Sequence, residues 1–266
     1  MKKIIYTLIL NAIVATTLVA QVPVPAKAQE SPMLLIGGIA HLGNGQVIQN
    51  SVIGFDKGKL TRVEAASENV DTDGYTVVQV DGKHVYPGFI LPNSQVGLSE
   101  VNAVRSMRDN NETGNLNPNV RSIISYNTDS ENIATFRFNG VLLAETAPTG
   151  GRISGTSSVV EMEGWNWEDA AHTVDMGMHM NWPNMLNRRF DFSTFTVKTE
   201  PNKNYATQTD ELDMHFKEAA AYGADNSKVA NLKLEAMQGL FDGTQTLFIH
   251  AGEAKGIVDA VRFAQS

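Results

Sequence analysis

The residue pattern changes between positions 85 and 98, and this change restricts the folds that the chain can adopt. The segment begins as a hydrophobic strand, passes through a Pro-Gly pair and ends in polar residues, among them Asn93 and Gln95. Short strands and hairpins are indicated before it, and alternating helices and strands after it. Catalytic side chains of a barrel of alternating strands and helices stand at the carboxyl ends of its strands. We therefore expect a functional site at the end of this strand.

Residues 1–28 have the three parts of a secretory signal peptide. Two lysines follow the first Met, an apolar run covers 4–20, and 26–28 supply the small-x-small pattern of a cleavage site. Cleavage there would leave Gln29 as the mature N-terminus. A transmembrane anchor is the alternative, but the run is short and a proline-containing linker follows it. The sequence predicts a periplasmic or extracellular protein with no stable membrane anchor after cleavage.

The charge and the absence of cysteine exclude several classes of function. The formal net charge is -8, and it becomes -11 without residues 1–28, because they carry three lysines and no acidic residue. No basic stripe offsets this charge, so a nucleic-acid partner is not expected, whereas a small neutral or cationic ligand, or simply good solubility, suits it. The chain has no cysteine, which excludes disulfides, a thiolate metal site and a cysteine nucleophile.

Two regions follow the leader. Residues 33–86 alternate short β-branched runs with turns such as Asp81-Gly82, which is typical of a small antiparallel β module. The module is either a self-contained sandwich or one that is completed by strands from elsewhere in the chain, since its edges are otherwise unpaired. Residues 87–266 are predicted to form part of a (β/α) barrel.

Within 87–266, the patterns predict a short helix over 99–109, a helix followed by a buried strand over 130–145, and a strand and helix over 246–264. Residues 173–203 are expected to be irregular, either as a lid over a pocket or as a hydrophobic insertion packed on the barrel. The chain ends directly after an αβα step, so we expect further strands beyond Ser266 and interpret the chain as a fragment.

Polar and titratable side chains stand where several of the predicted strands end. These candidates are Asn93, Ser94, Gln95, Glu145, Glu161 or Glu163, and His250. Of them, only His250 has strong metal-ligand character, and a hydrogen-bonded structural histidine is the alternative. The other histidines form no H-x-H or H-E-x-x-H pair. Spacing alone therefore gives no complete catalytic constellation.

Four motifs together resemble the amidohydrolase superfamily, in particular its exported, imidazolonepropionase-like members. They are Val-Tyr-Pro-Gly-Phe-Ile at 85–90, Gly-Gly-Arg-Ile-Ser-Gly-Thr-Ser-Ser at 150–158, Trp-Asn-Trp-Glu-Asp at 165–169 and Leu-Phe-Ile-His-Ala at 247–251. The resemblance covers most of the chain from Met33 onward. It implies a metal-dependent (β/α) TIM-like barrel, incomplete in this chain, with a small β-sandwich built from both chain ends.

The resemblance also implies a site. Family members carry Asp-Ala-His-x-His after the Pro-Gly strand, and Asn93 and Gln95 stand at the places of its two histidines. These two residues are expected to bind a ligand through their amides, while His250 matches a family metal ligand for one divalent ion, most simply zinc. The implied activity is hydrolysis of carbon–nitrogen bonds other than peptide bonds in a small-molecule substrate. A catalytically inactive ligand-binding relative and an unstable fragment remain the alternatives.

Overall fold

The computed structural model describes residues 25–225 and 229–266 and shows a mixed α/β chain. Its strands are β1 Met33–His41, β2 Val47–Asp56, β3 Lys59–Ala65, β4 Thr76–Gln79, β5 His84–Val85, β6 Phe89–Ser94, β7 Val141–Thr146, β8 Ile153–Glu161, β9 Ala171–Asn181, β10 Leu186–Asp191, β11 Thr196–Pro201 and β12 Thr246–His250. Its α-helices are Glu131–Phe138, Trp167–Ala170, Tyr205–Ala224, Leu232–Glu235, Gln238–Asp242 and Ala254–Ala264. Over these ranges, no helix is both long and apolar enough to span a bilayer.

Most of the predicted leader, residues 1–24, lies outside the described ranges, so the signal peptide stays a prediction. The module at 33–86 is a sheet in the order β3-β2-β1-β4, with β5 also paired to β1. β1 runs antiparallel to β2 and parallel to both β4 and β5. Leu34 and Val52 are fully buried on these strands. The structure describes one sheet here, so the second layer of a sandwich also stays a prediction.

The second sheet has the order β12-β9-β8-β7-β6 and curls into half of a barrel. β6 is parallel to β7, and β9 is parallel to β12, as the predicted helix–strand steps require. The two central pairings, β7 with β8 and β8 with β9, are antiparallel. The carboxyl ends of β6, β7, β9 and β12 therefore meet at one edge, whereas β8 runs the other way. This edge holds the candidate site.

The prediction for residues 173–203 is wrong, because three strands occupy most of this segment. β9 begins before it, at Ala171, and β10 and β11 form a separate antiparallel hairpin. Met176, Met178, Met180 and Trp182 alternate along the segment, and this period of two is that of a strand with one apolar face. β9 pairs with β8 and β12 and belongs to the sheet.

The helix predicted over 99–109 is also wrong. This segment contains a single 3-10 turn, Arg105–Met107. The three side chains of its supposed apolar face, Val101, Val104 and Met107, are each more than 40% exposed. An isolated short helix is marginal in water unless its apolar face packs against a neighbour, and this face packs against none.

Two hydrophobic clusters hold the half-barrel sheet. In one, Met178 and Met180 of β9 pack with Leu212 and Ala260 from the helices Tyr205–Ala224 and Ala254–Ala264. In the other, Ala144 of β7 packs against Val160, with Ile133 of the helix Glu131–Phe138. Helices therefore support β7, β9 and β12, the strands that carry the candidate site.

Candidate functional site

Three titratable side chains from three strands form one hydrogen-bonded chain. His179 Nδ1 lies 2.9 Å from His250 Nε2, and His179 Nε2 lies 3.3 Å from Glu145 Oε1. Glu145 is the penultimate residue of β7, and His250 is the last residue of β12. In the sheet, β9 lies between β12 and β7, so His179 stands between His250 and Glu145. Strand geometry thus aligns a carboxylate and two imidazoles.

The carboxylate of Glu145 is held ionised by its surroundings. Ser157 Oγ donates a hydrogen bond to Oε1 at 2.8 Å, and the backbone N–H of Asn93 donates to Oε2 at 3.0 Å. The hydrogen bond with His179 does most to lower the pKa, burial raises it, and the Asn93 and Ser157 donors lower it further, to about 2. A buried carboxylate that accepts several hydrogen bonds is charged at neutral pH.

His179 is fully buried and held between aromatic rings. Its ring is stacked on Phe248 at a centroid distance of 5.0 Å and on His250 at 5.1 Å. Gly177 makes this packing possible, because a Cβ there would lie 2.5 Å from Phe248 and 2.7 Å from Ser157 Oγ. The glycine keeps both the ring that supports His179 and the hydroxyl that supports Glu145 in place.

His250 is half-buried, and burial, followed by repulsion from His179, lowers its pKa below 6.5, against a smaller opposing effect of Glu145. At neutral pH His250 is therefore uncharged. An ionised Glu145 can only accept hydrogen bonds, so His179 donates to it from Nε2. In the tautomer that donates from Nε2, His179 Nδ1 accepts the hydrogen bond from His250 Nε2. In the described part of the chain no hydrogen bond occupies His250 Nδ1, which is left as an unprotonated, basic nitrogen.

Asn93 and Gln95, the predicted ligand-binding residues, lie at the same edge, and both are exposed. Asn93 has a φ of 47° and so adopts the left-handed region that asparagine tolerates. Its backbone, not its side chain, contacts Glu145. Gln95 Oε1 accepts a hydrogen bond from Asn110 Nδ2 at 2.6 Å, so the two hydrogens of its own amide remain available to a ligand. Their role in binding stays a prediction.

Three of the candidate side chains do not join this group. Glu161 ends β8 and lies opposite Leu143, towards the start of β7, because β8 runs antiparallel. Glu163 forms an ion pair with Arg137 at 2.8 Å. Ser94 Oγ accepts from the backbone N–H of Val96, 3.0 Å away. Residues at the carboxyl ends of strands share one site only when their strands run in the same direction.

The strand-end rule does not select His179, because the segment 173–203 is predicted to be irregular. The alternation of methionines around it is the signal that could have identified a strand. His179 follows the buried Met178 and precedes the buried Met180. It therefore points to the opposite face of β9 from these methionines, towards Glu145 and His250.

The donor set at this edge does not fit the predicted metal ion. Over 25–225 and 229–266, the structure contains no group of three or more His, Asp or Glu side chains arranged to hold one. Both nitrogens of His179 and Nε2 of His250 are engaged in the hydrogen-bonded chain. Asn93 and Gln95 offer amide oxygens, which zinc prefers less than imidazole. Zinc at His250 remains a prediction, and no chemical step below depends on it.

The structure resembles that of an amidohydrolase from Thermotoga maritima MSB8. The TM-score is 0.69 at 19% sequence identity, and the match covers 88% of this chain and 61% of the other. The two proteins share a fold. The predicted mixed α/β class with an incomplete barrel is thereby supported, and this chain spans about three-fifths of the length of its neighbour.

A second solved structure, a prolidase complexed with N-methylphosphonate-L-proline, matches with a TM-score of 0.29 at 22% identity. That match covers 43% of this chain and 25% of the prolidase, too little to support an argument. No protein-family model matches the chain, and no curated protein does.

Proposed function

We propose that this chain belongs to an exported hydrolase of the amidohydrolase type that cleaves carbon–nitrogen bonds other than peptide bonds in a small molecule. The observation that carries the proposal is the chain Glu145–His179–His250, which ends in a basic nitrogen at the strand edge of an amidohydrolase-like fold. Active sites of barrel enzymes are built at this edge. Export to the periplasm or beyond is supported by the leader pattern of residues 1–28.

His250 is suited to act as a general base. Its Nδ1 takes a proton from a water molecule as the water oxygen bonds to the acyl carbon of the substrate. The carbon–nitrogen bond then breaks, and the same Nδ1 returns the proton to the leaving nitrogen, so that an acid and an amine are released. Efficient proton transfer at neutral pH needs a group whose pKa lies near the working pH, and histidine meets this condition.

His179 positions the base, and Glu145 favours its charged form. When His250 gains a proton, its Nε2–H remains bonded to His179, and the negative charge of Glu145 lies at the other end of the chain. The buried setting strengthens this electrostatic effect, because little water screens it. Neither residue needs to touch the substrate.

A ligand-binding protein without catalytic activity is the second candidate. The observation that favours it is that amides stand at 93 and 95, where the resemblance implies histidines, and that the described residues lack a three-donor metal group. The exposed amides of Asn93 and Gln95 could then hold a ligand through hydrogen bonds. His250 would serve as a further hydrogen-bonding group.

Release of primary amine from a panel of N-acyl amino acids separates the two candidates. The full chain should release amine, and His250→Gln should slow this at least 100-fold, since general-base catalysis contributes about 10²–10⁴ in rate. His172→Gln is the matched control, because His172 is exposed and lies 3.8 Å from Glu161, away from the hydrogen-bonded chain. The assay is run with and without added zinc.

A hydrolase is contradicted if no panel member is cleaved under either metal condition. His250→Gln as active as the wild type would contradict the role of His250 as the general base. Activity that appears only with zinc and is lost in His250→Gln would support the predicted metal and contradict the metal-free route. Circular dichroism of each variant verifies that the fold is retained.

A further inference from the structure

A cavity of about 350 Å³ lies beside the candidate site, beyond the ends of β6 and β7. It is lined by Arg105 and Arg108 from the segment of the 3-10 turn, and by Asn110, Asn111 and Thr149. Its volume is at the lower end of the range for small-molecule sites, about 300–1,000 Å³. The cavity can therefore hold part or all of a small metabolite.

The two guanidinium groups in this cavity have no partner among the described residues. In the part of the chain that the structure describes, neither Arg105 nor Arg108 forms an ion pair or a side-chain hydrogen bond. Arg121, which lines a neighbouring cavity, is by contrast paired with Asp175 at 2.6 Å. Among the described residues, the cavity therefore presents two cations without an ion pair, although the formal charge of the chain is -8.

The cavity lining has one acidic residue against two arginines, so an excess of positive charge remains. Glu112 also lines the cavity, but its Oε1 accepts a hydrogen bond from the backbone N–H of Thr113 at 2.6 Å. The remaining lining consists of amide and hydroxyl groups, which donate to anions as well as accept. Arginine presents a planar fork of N–H donors that matches a carboxylate.

The cavity is connected to the candidate site by hydrogen bonds. Asn110 donates to Gln95 Oε1 at 2.6 Å and to Thr149 Oγ1 at 3.3 Å. Gln95 lies two residues beyond Asn93, whose backbone binds Glu145. A substrate whose anionic group occupied the cavity would thus extend over Gln95 towards the edge that carries Glu145 and His250.

We propose that Arg105 and Arg108 bind the carboxylate of the substrate, so that the substrate class is N-acyl compounds that bear a free carboxylate. That the bound molecule is a substrate rests on the proposed function. The binding of a carboxylate by the two arginines rests on the geometry of the cavity alone. It also revises the expectation of a neutral or cationic ligand, because the local charge at the cavity is opposite to that of the whole chain.

Calorimetric titration of the full chain, carrying His250→Gln so that turnover is suppressed, with N-acetyl-L-alanine and with its neutral amide, N-acetyl-L-alaninamide, tests the proposal. We expect the acid to bind at least tenfold more tightly than the amide, and Arg105→Gln or Arg108→Gln each to weaken binding of the acid at least tenfold. Arg262→Gln is the matched control, since it removes an exposed arginine from the helix Ala254–Ala264. Inorganic phosphate is titrated as a comparison anion.

Equal affinity for acid and amide, no binding of the acid, or unchanged affinity in both arginine variants would overturn the proposal. Tighter binding of phosphate than of the acid would overturn the assignment to a carboxylate. Because binding is measured without turnover, a protein that binds the acid but releases no amine refutes the proposed hydrolase and leaves this site intact. A rate of substrate cleavage that is unchanged in both arginine variants would refute only the carboxylate site.

Discussion

Replacement of Glu145 by Gln should both destabilise the protein and flatten the dependence of its stability on pH. The surroundings of Glu145 lower its pKa from 4.5 to about 2. A group whose pKa is lower in the folded state stabilises the fold above its unfolded pKa, and this contribution is lost as the pH falls through the folded value. At about 1.36 kcal/mol for each pKa unit, the ionised carboxylate contributes on the order of 3 kcal/mol at pH 7.

That contribution is a large part of the stability of a typical domain, about 5–15 kcal/mol. Urea unfolding followed by circular dichroism at pH 7 should therefore show Glu145→Gln to be less stable than the wild type by about 3 kcal/mol. The difference should shrink as the pH falls from 4.5 towards 2. Glu168→Gln is the control, because the side chain of Glu168 is exposed.

Two results would refute the reasoning about Glu145. One is a pair of wild-type and Glu145→Gln curves that run parallel across this pH range. The other is a destabilisation at pH 7 no larger than that of Glu168→Gln. Either result would mean that the carboxylate is not held ionised by His179, Ser157 and the backbone of Asn93.

Three further predictions follow from the same contacts. In urea unfolding, Gly177→Ala should be less stable than the wild type by about 1–3 kcal/mol, because the added methyl would displace Phe248 or Ser157. An unchanged unfolding midpoint would contradict this packing. Burial lowers the pKa of His250, so the stability of the protein should fall as the pH drops below 6.5. The melting temperature of His250→Gln should fall less over this range. An identical loss in the variant would contradict the prediction. Elemental analysis of dialysed protein should show less than one zinc per chain, and a full equivalent that is lost in His250→Ala would instead support the predicted metal site.

The strand-end rule found Glu145 and His250 because each ends a strand that is hydrophobic enough to be recognised by composition alone. The rule could not exclude Glu161 from the site, because the direction of β8 is set by its antiparallel pairing with β7 and β9. Pairing direction depends on long-range contacts that a local pattern does not contain. The sequence therefore predicted the edge of the sheet but included residues from the wrong end.

The strand that carries His179 is a second feature that the local sequence pattern did not predict. Its strand was assigned to an irregular segment, although methionines alternate around it with a period of two. Methionine is a weak indicator of strands compared with β-branched residues, and the burial that fixes β9 comes from helices distant in sequence. The helix predicted at 99–109 failed for the converse reason, since its apolar face found no neighbour.

The protonation of the two imidazoles tests the central claim most directly. The account requires Glu145 to fix His179 as the Nε2–H tautomer, so that His250 donates from Nε2 and keeps a basic Nδ1 at the sheet edge. Long-range ¹H–¹⁵N correlation spectra of ¹⁵N-histidine-labelled protein at pH 8, assigned with His179→Gln and His250→Gln, report the tautomers. We predict Nε2–H for both residues. A proton on Nδ1 of His250 would contradict the account.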